Sequence, residues 1–362
     1  MQEAPLQAII RKHIAEVGAV TFADYMNLAL YHPQFGYYTA GAARIGWGGD
    51  FFTSAHLHPL FGACIARQLM RLWETLKRPA PFVVLEEGAG QGLLAAHAQS
   101  YAQEHLPPLA EALRYQTADA GQPSAPDSDL APHVILSNEL IDAFPVHLVE
   151  TRGGRLREVY VVERDGRLAE QLDEPSSPEV ADYLKRFGIP WQGFGDGWRA
   201  EINLRALAWM RATAARLRRG GFVLTIDYGD TARRLYTRER RRGTLLCYYR
   251  HTTNEEPLAR PGQQDITAHV NFSALIDEGR RAGLSRSRFT TQRDFLLGWG
   301  IRAEMEAWRA RHFSAADAAR HTDQGQADLL RAISLRNTVN ALLDPAGLGG
   351  FRVLLQRKTR HT

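Results

Sequence analysis

The chain has 362 residues, of which 44% are hydrophobic and 23% charged, and its formal net charge is +4. These proportions are those of an ordinary globular protein, and the length suffices for one elaborated domain or two smaller ones. No apolar run approaches the roughly 20 residues of a membrane span, and no apolar signal core stands near the N-terminus. We therefore expect no membrane association. The expected location is the cytoplasm, or the mitochondrial matrix in a eukaryote.

The chain begins with a predicted helical segment. Apolar residues at helical spacing mark a first helix from Leu6 to Val17, and Thr21 with Asp24 resembles a capping box that starts a second helix ending near Leu30. An aromatic stretch, a glycine-rich loop and a long amphipathic helix follow, at 31–38, 45–54 and 60–76. We expect residues 1–78 to form a helical segment that packs on a core of residues 79–362.

The stretch from Pro81 to Ala96 predicts a buried strand, a tight turn with a glycine at every second position, and a helix. Such a turn brings backbone N–H groups and a helix N-terminus close to a ligand. A dinucleotide-binding fingerprint would have its third glycine at the position of Leu93, which argues against a nicotinamide oxidoreductase. The arrangement Glu86-x-Gly88-x-Gly90-x-Gly92 resembles that of class I S-adenosylmethionine-dependent methyltransferases.

Two more predicted strands end in polar residues. One runs from Arg114 to Ala118 and is followed by Asp119, at the position where folds of this kind bind the ribose hydroxyls of a cofactor. Residues 121–129 form a linker rich in proline, serine and aspartate. The next strand, residues 133–137, runs directly into Asn138, Glu139 and Asp142, which we therefore expect beside the ligand of the glycine turn.

The second half of the chain alternates between strands and helices. Antiparallel strands are expected between 146 and 171, with turns at Gly153-Gly154 and Asp165-Gly166. An insertion is expected at about 151–200 and includes most of these strands. The other predicted elements are helices at 201–217 and 272–282, strands at 222–226, 244–249 and 351–355, and a helical insertion at about 298–345. We predict a doubly wound α/β sheet with helical additions at both ends and an antiparallel insertion.

One dense basic cluster stands in this half, from Arg233 to Arg242. It includes Glu239 and shows no stripe of interleaved aromatic residues, so we interpret it as a solvated loop and expect no nucleic-acid partner. Cys64 and Cys247 are expected to be core thiols in a reducing compartment.

Several short motifs follow one another along nearly the whole chain. They are Tyr31-His-Pro with Gly36-Tyr-Tyr38, Gly49-Asp-Phe-Phe-Thr-Ser54, Glu86-Glu-Gly-Ala-Gly-Gln-Gly92, Asn138-Glu-Leu-Ile-Asp-Ala-Phe-Pro145, Asp227-Tyr-Gly229, Arg250-His251, Asp265-Ile-Thr-Ala-His269 and Thr291-Gln292. In this order they resemble the MidA family, the bacterial and mitochondrial relatives of the complex I assembly methyltransferase. The resemblance implies a class I methyltransferase fold, S-adenosyl-L-methionine as methyl donor and a protein arginine as acceptor, which in the mitochondrial members belongs to a respiratory complex I subunit.

Three features depart from the pattern of this family. Ala55-His56 stands where the family usually has Pro-Glu, so a carboxylate is missing from a loop near the expected site. Asn271 occupies a position where aspartate is common, and the stretch between Asp119 and His133 is short for a helix-plus-strand unit. Two alternatives therefore stay open, a small-molecule methyltransferase on the same fold and a non-catalytic assembly or scaffold protein.

The implied chemistry selects a set of site residues. Methyl transfer from a sulfonium is an in-line displacement that depends on alignment, so no metal is expected. The expected cofactor-binding residues are Glu86, Gly88, Ala89, Gly90, Gly92 and Asp119, with Asp50 and Thr53 of the glycine-rich loop. Glu139 and Asp142 would orient the planar guanidinium and take its proton, with Asn138 beside them; alternatively, Asn138 and Glu139 only fix the turn after their strand.

Other side chains carry weaker predictions. His269 is a candidate general base, as is His251, and a buried, hydrogen-bonded structural role is the alternative for both. Tyr37, Tyr38 and Trp47 would either line an acceptor pocket or pack the N-terminal helices. The sequence does not indicate an oligomeric state.

Overall fold

A computed structural model describes residues 5–40, 54–120, 130–313 and 323–359. Its helices are α1 (Pro5–Val17), α2 (Phe22–Tyr31), α3 (Ser54–Leu57), α4 (Pro59–Thr75), α5 (Leu93–His105), α6 (Pro107–Ala112), α7 (Pro178–Arg186), α8 (Leu204–Arg216), α9 (Ala232–Leu235), α10 (Phe272–Arg281), α11 (Gln292–Gly298), α12 (Ile301–Phe313) and α13 (Asp323–Leu343).

Its strands are β1 (Val20–Thr21), β2 (Phe82–Glu87), β3 (Leu113–Ala118), β4 (Val134–Asn138), β5 (His147–Arg152), β6 (Arg155–Arg164), β7 (Arg167–Asp173), β8 (Arg199–Ile202), β9 (Phe222–Asp227), β10 (Gly229–Asp230), β11 (Leu246–Tyr249), β12 (Thr252–Asn254), β13 (Asp265–Thr267), β14 (Val270–Asn271), β15 (Leu284–Thr291) and β16 (Arg352–Lys358).

A central six-stranded sheet has the order β15-β16-β9-β4-β2-β3. Strands β2, β3, β4 and β9 are parallel, while β16 runs antiparallel between β9 and β15. Successive side chains of a strand point to opposite faces: Phe222 and Leu224 of β9 pack in a cluster with α4 and α5, and Val223 packs in a cluster with α8 and α10. The sheet is therefore covered by helices on both faces, as predicted.

The parallel strands all deliver their carboxyl ends to one edge of this sheet. Val84 of β2 is in register with Tyr115 of β3 and Val134 of β4, and Val134 is in turn in register with Phe222 of β9. In such sheets the crevice beyond the strand ends is the usual ligand site. The residues that follow β2, β3, β4 and β9 are therefore brought together.

The expected antiparallel insertion is a second sheet, of order β1-β6-β5-β8 with β7 on β6. Its hairpins turn at the predicted glycines, where Gly154 and Gly166 have φ of +70° and +74°. Strand β1 from the N-terminal part of the chain pairs with β6, and α1 and α2 pack against the same sheet. The first two helices thus lie on the insertion, whereas α4 packs on the central sheet.

Local signals in the sequence mark some boundaries well and others poorly. The Thr21 cap is present, since its hydroxyl accepts the N–H of Asp24 at 3.1 Å. The helix predicted from residue 201 instead begins at Leu204, because residues 199–202 form β8 and pair with β5. None of the helices in the described ranges is both long and apolar enough to cross a membrane.

Candidate active site

A cavity of about 1070 Å³ lies beyond the carboxyl ends of β2, β3, β4 and β9. Among the residues selected from the sequence, those that line it are Glu86, Gly88, Ala89, Gly90, Asp119, Asn138, Glu139, Asp142 and His269. Gly92 is outside its wall and begins α5 with a left-handed φ of +72°. Asp50, Thr53 and Trp47 lie outside the described residues.

The glycine turn offers fewer free backbone donors than its sequence predicts. Gly88 has φ of +73°, and a Cβ at this position would lie 2.7 Å from Leu140 Cδ1. The N–H groups of Gly88 and Ala89 already donate to the Ala118 carbonyl, at 2.8 and 3.3 Å. This differs from the expectation that bare amides face the ligand: the turn is closed against β3, and glycine is required because a side chain would strike Leu140.

Two acids lie on the same side of the cavity as this turn. Glu86 is 2% exposed and accepts the Tyr115 hydroxyl at 2.9 Å. Burial raises the pKa of Glu86 to about 7, against the lowering effect of the Tyr115 hydrogen bond. Asp119 accepts the N–H of Ala120 at 2.7 Å, and burial raises its pKa as well. Both carboxyl groups are therefore suited to a cationic or hydroxyl-bearing ligand that stabilises their charged form.

Glu139 has an unusual backbone conformation for a residue with a side chain. Its φ is +52°, and strained backbone of this kind clusters at functional sites. The Glu139 N–H donates to the Ile226 carbonyl at 2.9 Å, and its Oε1 accepts from the Ser54 N–H at 2.9 Å and from Asn138 Nδ2 at 3.2 Å. Burial, with a further contribution from the charge of Asp142, raises the pKa of Glu139 to about 8.

Asp142 is 6% exposed and faces the same cavity. One of its oxygens accepts the Tyr228 hydroxyl, while Oδ1 makes no hydrogen bond of good geometry within the described ranges, although the backbone N–H groups of Ala143 and Asp142 lie near the carboxylate. Asn138 Oδ1 likewise makes no hydrogen bond within those ranges. Burial raises the pKa of Asp142. These two buried acceptors, at one end of the cavity, fit a ligand that brings donors, because an unsatisfied buried polar atom is costly.

A third carboxylate, not selected from the sequence, fixes this arrangement. Asp227 is 1% exposed, and its Oδ2 accepts the N–H of Ile141 at 2.9 Å and that of Asp142 at 3.4 Å. Its Oδ1 accepts the N–H of Tyr228 at 2.9 Å. Asp227 thus sets the turn that carries Glu139 and Asp142. The motif Asp227-Tyr-Gly229 was visible, but its partner lies 85 residues away in the chain, so sequence spacing could not reveal it.

Tyrosines cover the side of the cavity next to the acids. Tyr31 and Tyr38 stack with ring centroids 5.6 Å apart. The Tyr38 hydroxyl donates to Asp265 Oδ1 at 2.8 Å, and the Tyr31 hydroxyl donates to the Ala143 carbonyl at 3.0 Å. Tyr37, in contrast, is buried in the N-terminal core. The tyrosines that line the cavity are therefore Tyr31 and Tyr38, together with Tyr228 and Tyr248.

The two histidine candidates differ in position. His269 lines the cavity with an exposed ring that packs edge-on against Tyr228, at 5.4 Å between centroids. His251 is exposed, has φ of +61° and is not in the wall of the cavity. The link from His269 to the acid pair is indirect, through Tyr228, whose hydroxyl donates to Asp142.

The departures from the family pattern fall in different places. Ala55 and His56 both line the cavity, on α3 beside the Ser54 amide that holds Glu139. Asn271 is remote from the wall: its Oδ1 accepts the N–H of Ala274 at 3.3 Å and so caps α10. Its Nδ2 donates to the Tyr183 hydroxyl at 3.0 Å, so an aspartate at this position would keep the cap but lose this donor, and the role of Asn271 is structural.

The charges of the wall favour cationic ligands. The acids in it are Glu86, Glu87, Asp119, Glu139, Asp142 and Asp265. Arg205 is the arginine among the described wall residues, and its guanidinium lies over the rings of Tyr31 and Phe144 at 5.2 and 5.4 Å. A ligand with a positive group would favour the ionised form of these acids, since the pKa values of Glu86 and Glu139 are raised, while Glu87 already pairs with Arg216.

Comparison with known families supports a methyltransferase. The family model described as "Putative S-adenosyl-L-methionine-dependent methyltransferase" matches residues 64–125 and 120–290, more than half of the chain. A crystal structure from Burkholderia thailandensis, of a "likely methyl transferase" bound to S-adenosyl-homocysteine, is 28% identical. It superposes with a TM-score of 0.79 over 99% of this chain and 95% of that one. The predicted class I methyltransferase-like fold is thereby confirmed.

Relatives whose names state a specific activity have a slightly lower sequence identity to this chain. "Protein arginine methyltransferase NDUFAF7 homolog, mitochondrial" of Drosophila melanogaster is 26% identical over 74% of this chain and 68% of its own length. The corresponding mitochondrial NDUFAF7 protein of Mus musculus is also 26% identical, over 83% of this chain and 75% of its own. These matches agree with the family resemblance carried by the motifs.

Proposed function

The chain belongs to the family of S-adenosyl-L-methionine-dependent methyltransferases, and we propose that it methylates an arginine side chain of a partner protein. The observation that carries the arginine assignment is an acid pair in one cavity, the half-buried Glu139 and the buried Asp142, with Asp142 Oδ1 still open to a donor from a ligand. A guanidinium is planar and presents several donors in a fixed fork, which suits two neighbouring carboxylates. The arginine methyltransferase relatives support the same assignment.

The donor would bind at the glycine turn. When bound, S-adenosylmethionine supplies an electrophilic methyl group on a sulfonium. Glu86 and Asp119 both line the cavity; Glu86 would accept hydrogen bonds from the ammonium group of the donor, and Asp119, after β3, would accept those of its ribose hydroxyls. A side chain at Gly88 would displace Leu140, which also lines the cavity, since its Cβ would meet that leucine.

The acids would orient the acceptor and receive its proton. A guanidinium stays protonated at any working pH, so one proton must leave when the nitrogen is methylated. Glu139, with a pKa raised to about 8, gains its negative charge most easily once a cation lies beside it. Asp227 holds the turn, and Tyr228 donates to Asp142, so neither carboxylate has to be reoriented during the reaction.

Incubating the purified protein with a cell extract and tritium-labelled S-adenosylmethionine tests the proposal. We expect label in the protein fraction, and methylarginine after acid hydrolysis of that fraction. Glu139→Gln should bind S-adenosylhomocysteine in calorimetry as the wild type does, yet lose most of the labelling. Label confined to the small-molecule fraction, or absence of any S-adenosylhomocysteine binding, contradicts the arginine assignment.

A small-molecule acceptor is the second candidate, because Ala55 and His56 line the cavity where the family usually has Pro-Glu. The same experiment distinguishes the two candidates by the fraction that carries the label.

We also propose a reducing compartment, the bacterial cytoplasm or the mitochondrial matrix of a eukaryote, since Cys64 and Cys247 are both buried free thiols.

A further inference from the structure

A basic segment borders the cavity. Residues 230–243, here called the arginine loop, run between Gly229 and Thr244, which both line the cavity. Six arginines stand in the loop, against Asp230 and Glu239 as its acids: Arg233, Arg234, Arg238, Arg240, Arg241 and Arg242. All six are exposed. The rim of the cavity is therefore positive, whereas its interior is rich in acids.

The loop is held in place through its backbone. Trp198 Nε1 donates to the Thr237 carbonyl at 2.9 Å, and the Arg199 N–H donates to the Arg241 carbonyl at 2.8 Å. The Glu201 carboxylate, 6% exposed, accepts the N–H groups of Thr244 at 2.8 Å and Leu245 at 3.1 Å. Buried side chains of the insertion thus fix the path of the loop, and the exposed guanidinium groups are not needed for that purpose.

Half of the guanidinium groups are compensated locally. Arg234 lies 3.5 Å from Asp230, Arg242 lies 2.8 Å from Glu255, and Arg241 donates to the Asp196 carbonyl. In contrast, the guanidinium groups of Arg233, Arg238 and Arg240 make no ion pair or hydrogen bond within the part of the chain that the structure describes. Arg240 lies near His269 in the cavity wall: desolvation of that ring is the main cause that lowers its pKa, and the charge of Arg240 lowers it further.

We propose that the arginine loop binds an acidic segment of the acceptor protein and so presents a neighbouring arginine of that segment to the cavity. The inference rests on the proposed function and deepens it. A segment with one arginine flanked by aspartate or glutamate matches both the positive rim and the acidic interior. Single-stranded nucleic acid is disfavoured, because it requires exposed aromatic rings for stacking and Tyr236, the aromatic residue of the loop, is 8% exposed.

Peptide binding, measured without methyl donor, tests this inference. Two fluorescein-labelled peptides of equal length carry one central arginine, flanked by aspartate and glutamate in one and by asparagine and glutamine in the other. We expect the acidic peptide to bind the wild type about tenfold more tightly at low salt, with an advantage that shrinks as salt screens the charges. The variant Arg233→Gln/Arg238→Gln/Arg240→Gln should lose most of that advantage.

A matched control removes three other exposed arginines outside the loop and the cavity wall, in Arg71→Gln/Arg167→Gln/Arg302→Gln. It should keep the advantage, which excludes an effect of net charge alone. Equal affinity of the two peptides for the wild type, or an undiminished advantage in the loop variant, overturns the docking inference. So does tighter binding of a single-stranded RNA at the loop. If the acidic peptide binds as expected but no protein arginine in an extract is methylated, the proposed function fails and the docking surface stands.

Discussion

Replacing Glu139 by glutamine separates the charge of this side chain from its shape. The amide has nearly the same size, and its oxygen can still accept from the Ser54 N–H and from Asn138 Nδ2, which lie 2.9 and 3.2 Å from Glu139 Oε1. What the substitution removes is the ability to ionise in a half-buried position. Its effect on stability should therefore depend strongly on pH.

The size of the effect follows from the pKa. Burial raises the pKa of Glu139 from 4.5 to about 8. Between these values the folded protein retains a proton that the unfolded chain has released, so the free energy of unfolding falls as pH rises. At about 1.36 kcal/mol for each pKa unit, the loss is roughly 1 kcal/mol near pH 5.5 and grows to at most about 4–5 kcal/mol near pH 8.5 for this half-buried side chain. Glu139→Gln does not incur this loss.

Urea denaturation of the wild type and of Glu139→Gln at these two pH values measures the difference. We expect the stability of the variant relative to the wild type to rise by up to about 3 kcal/mol from the lower to the higher pH. Glu256→Gln, which changes an exposed glutamate, should show no such rise. If the relative stability of Glu139→Gln is the same at both pH values, Glu139 is not an acid with a raised pKa, and its assigned part in proton transfer is wrong.

Three further predictions concern the wall of the cavity. Gly88→Ala should weaken S-adenosylhomocysteine binding at least about tenfold in calorimetry, because its Cβ would strike Leu140, whereas Gly153→Ala, with positive φ but open space around it, should bind normally. Tyr228→Phe removes a hydrogen bond that lowers the pKa of Asp142, so the acidic limb of the pH–rate profile should move to higher pH; an unchanged profile would exclude Asp142 as a titrating group. Asn271→Asp should leave the methylation rate unchanged, because the residue is not in the cavity wall, but should lower the melting temperature, because its buried Nδ2 donates to the Tyr183 hydroxyl and aspartate has no such donor; an unchanged melting temperature would show that this hydrogen bond does not contribute.

The local elements around the cavity could be predicted because their signals are short-range. The strand, turn and helix at 82–105 follow from a buried apolar run, three glycines and a helical pattern. The hairpins at Gly153-Gly154 and Asp165-Gly166 follow from turn chemistry alone. The position of polar residues after parallel strands was enough to bring Asp119 and Glu139 into one cavity.

Structural features that depend on residues far apart in the sequence could not be predicted from such short-range patterns. Strand β15 alternates serine, arginine and threonine without a hydrophobic pattern, and it is a strand because β16 pairs with it. The left-handed backbone of Glu139 and the amide-binding role of Asp227 both arise from contacts between β4 and β9. The hydrogen bond from the Gly88 N–H to the Ala118 carbonyl likewise depends on the pairing of β2 with β3.

The place of β16 inside the central sheet has a consequence for biosynthesis. During translation β9 leaves the ribosome well before β16, which must later insert between β9 and β15. Residues 345–348, 350 and 351, just upstream of β16, also line the cavity. A message with a premature stop codon ahead of this strand would yield a product with an open hydrogen-bonding edge, prone to pair with other nascent chains, and with no closed catalytic chamber.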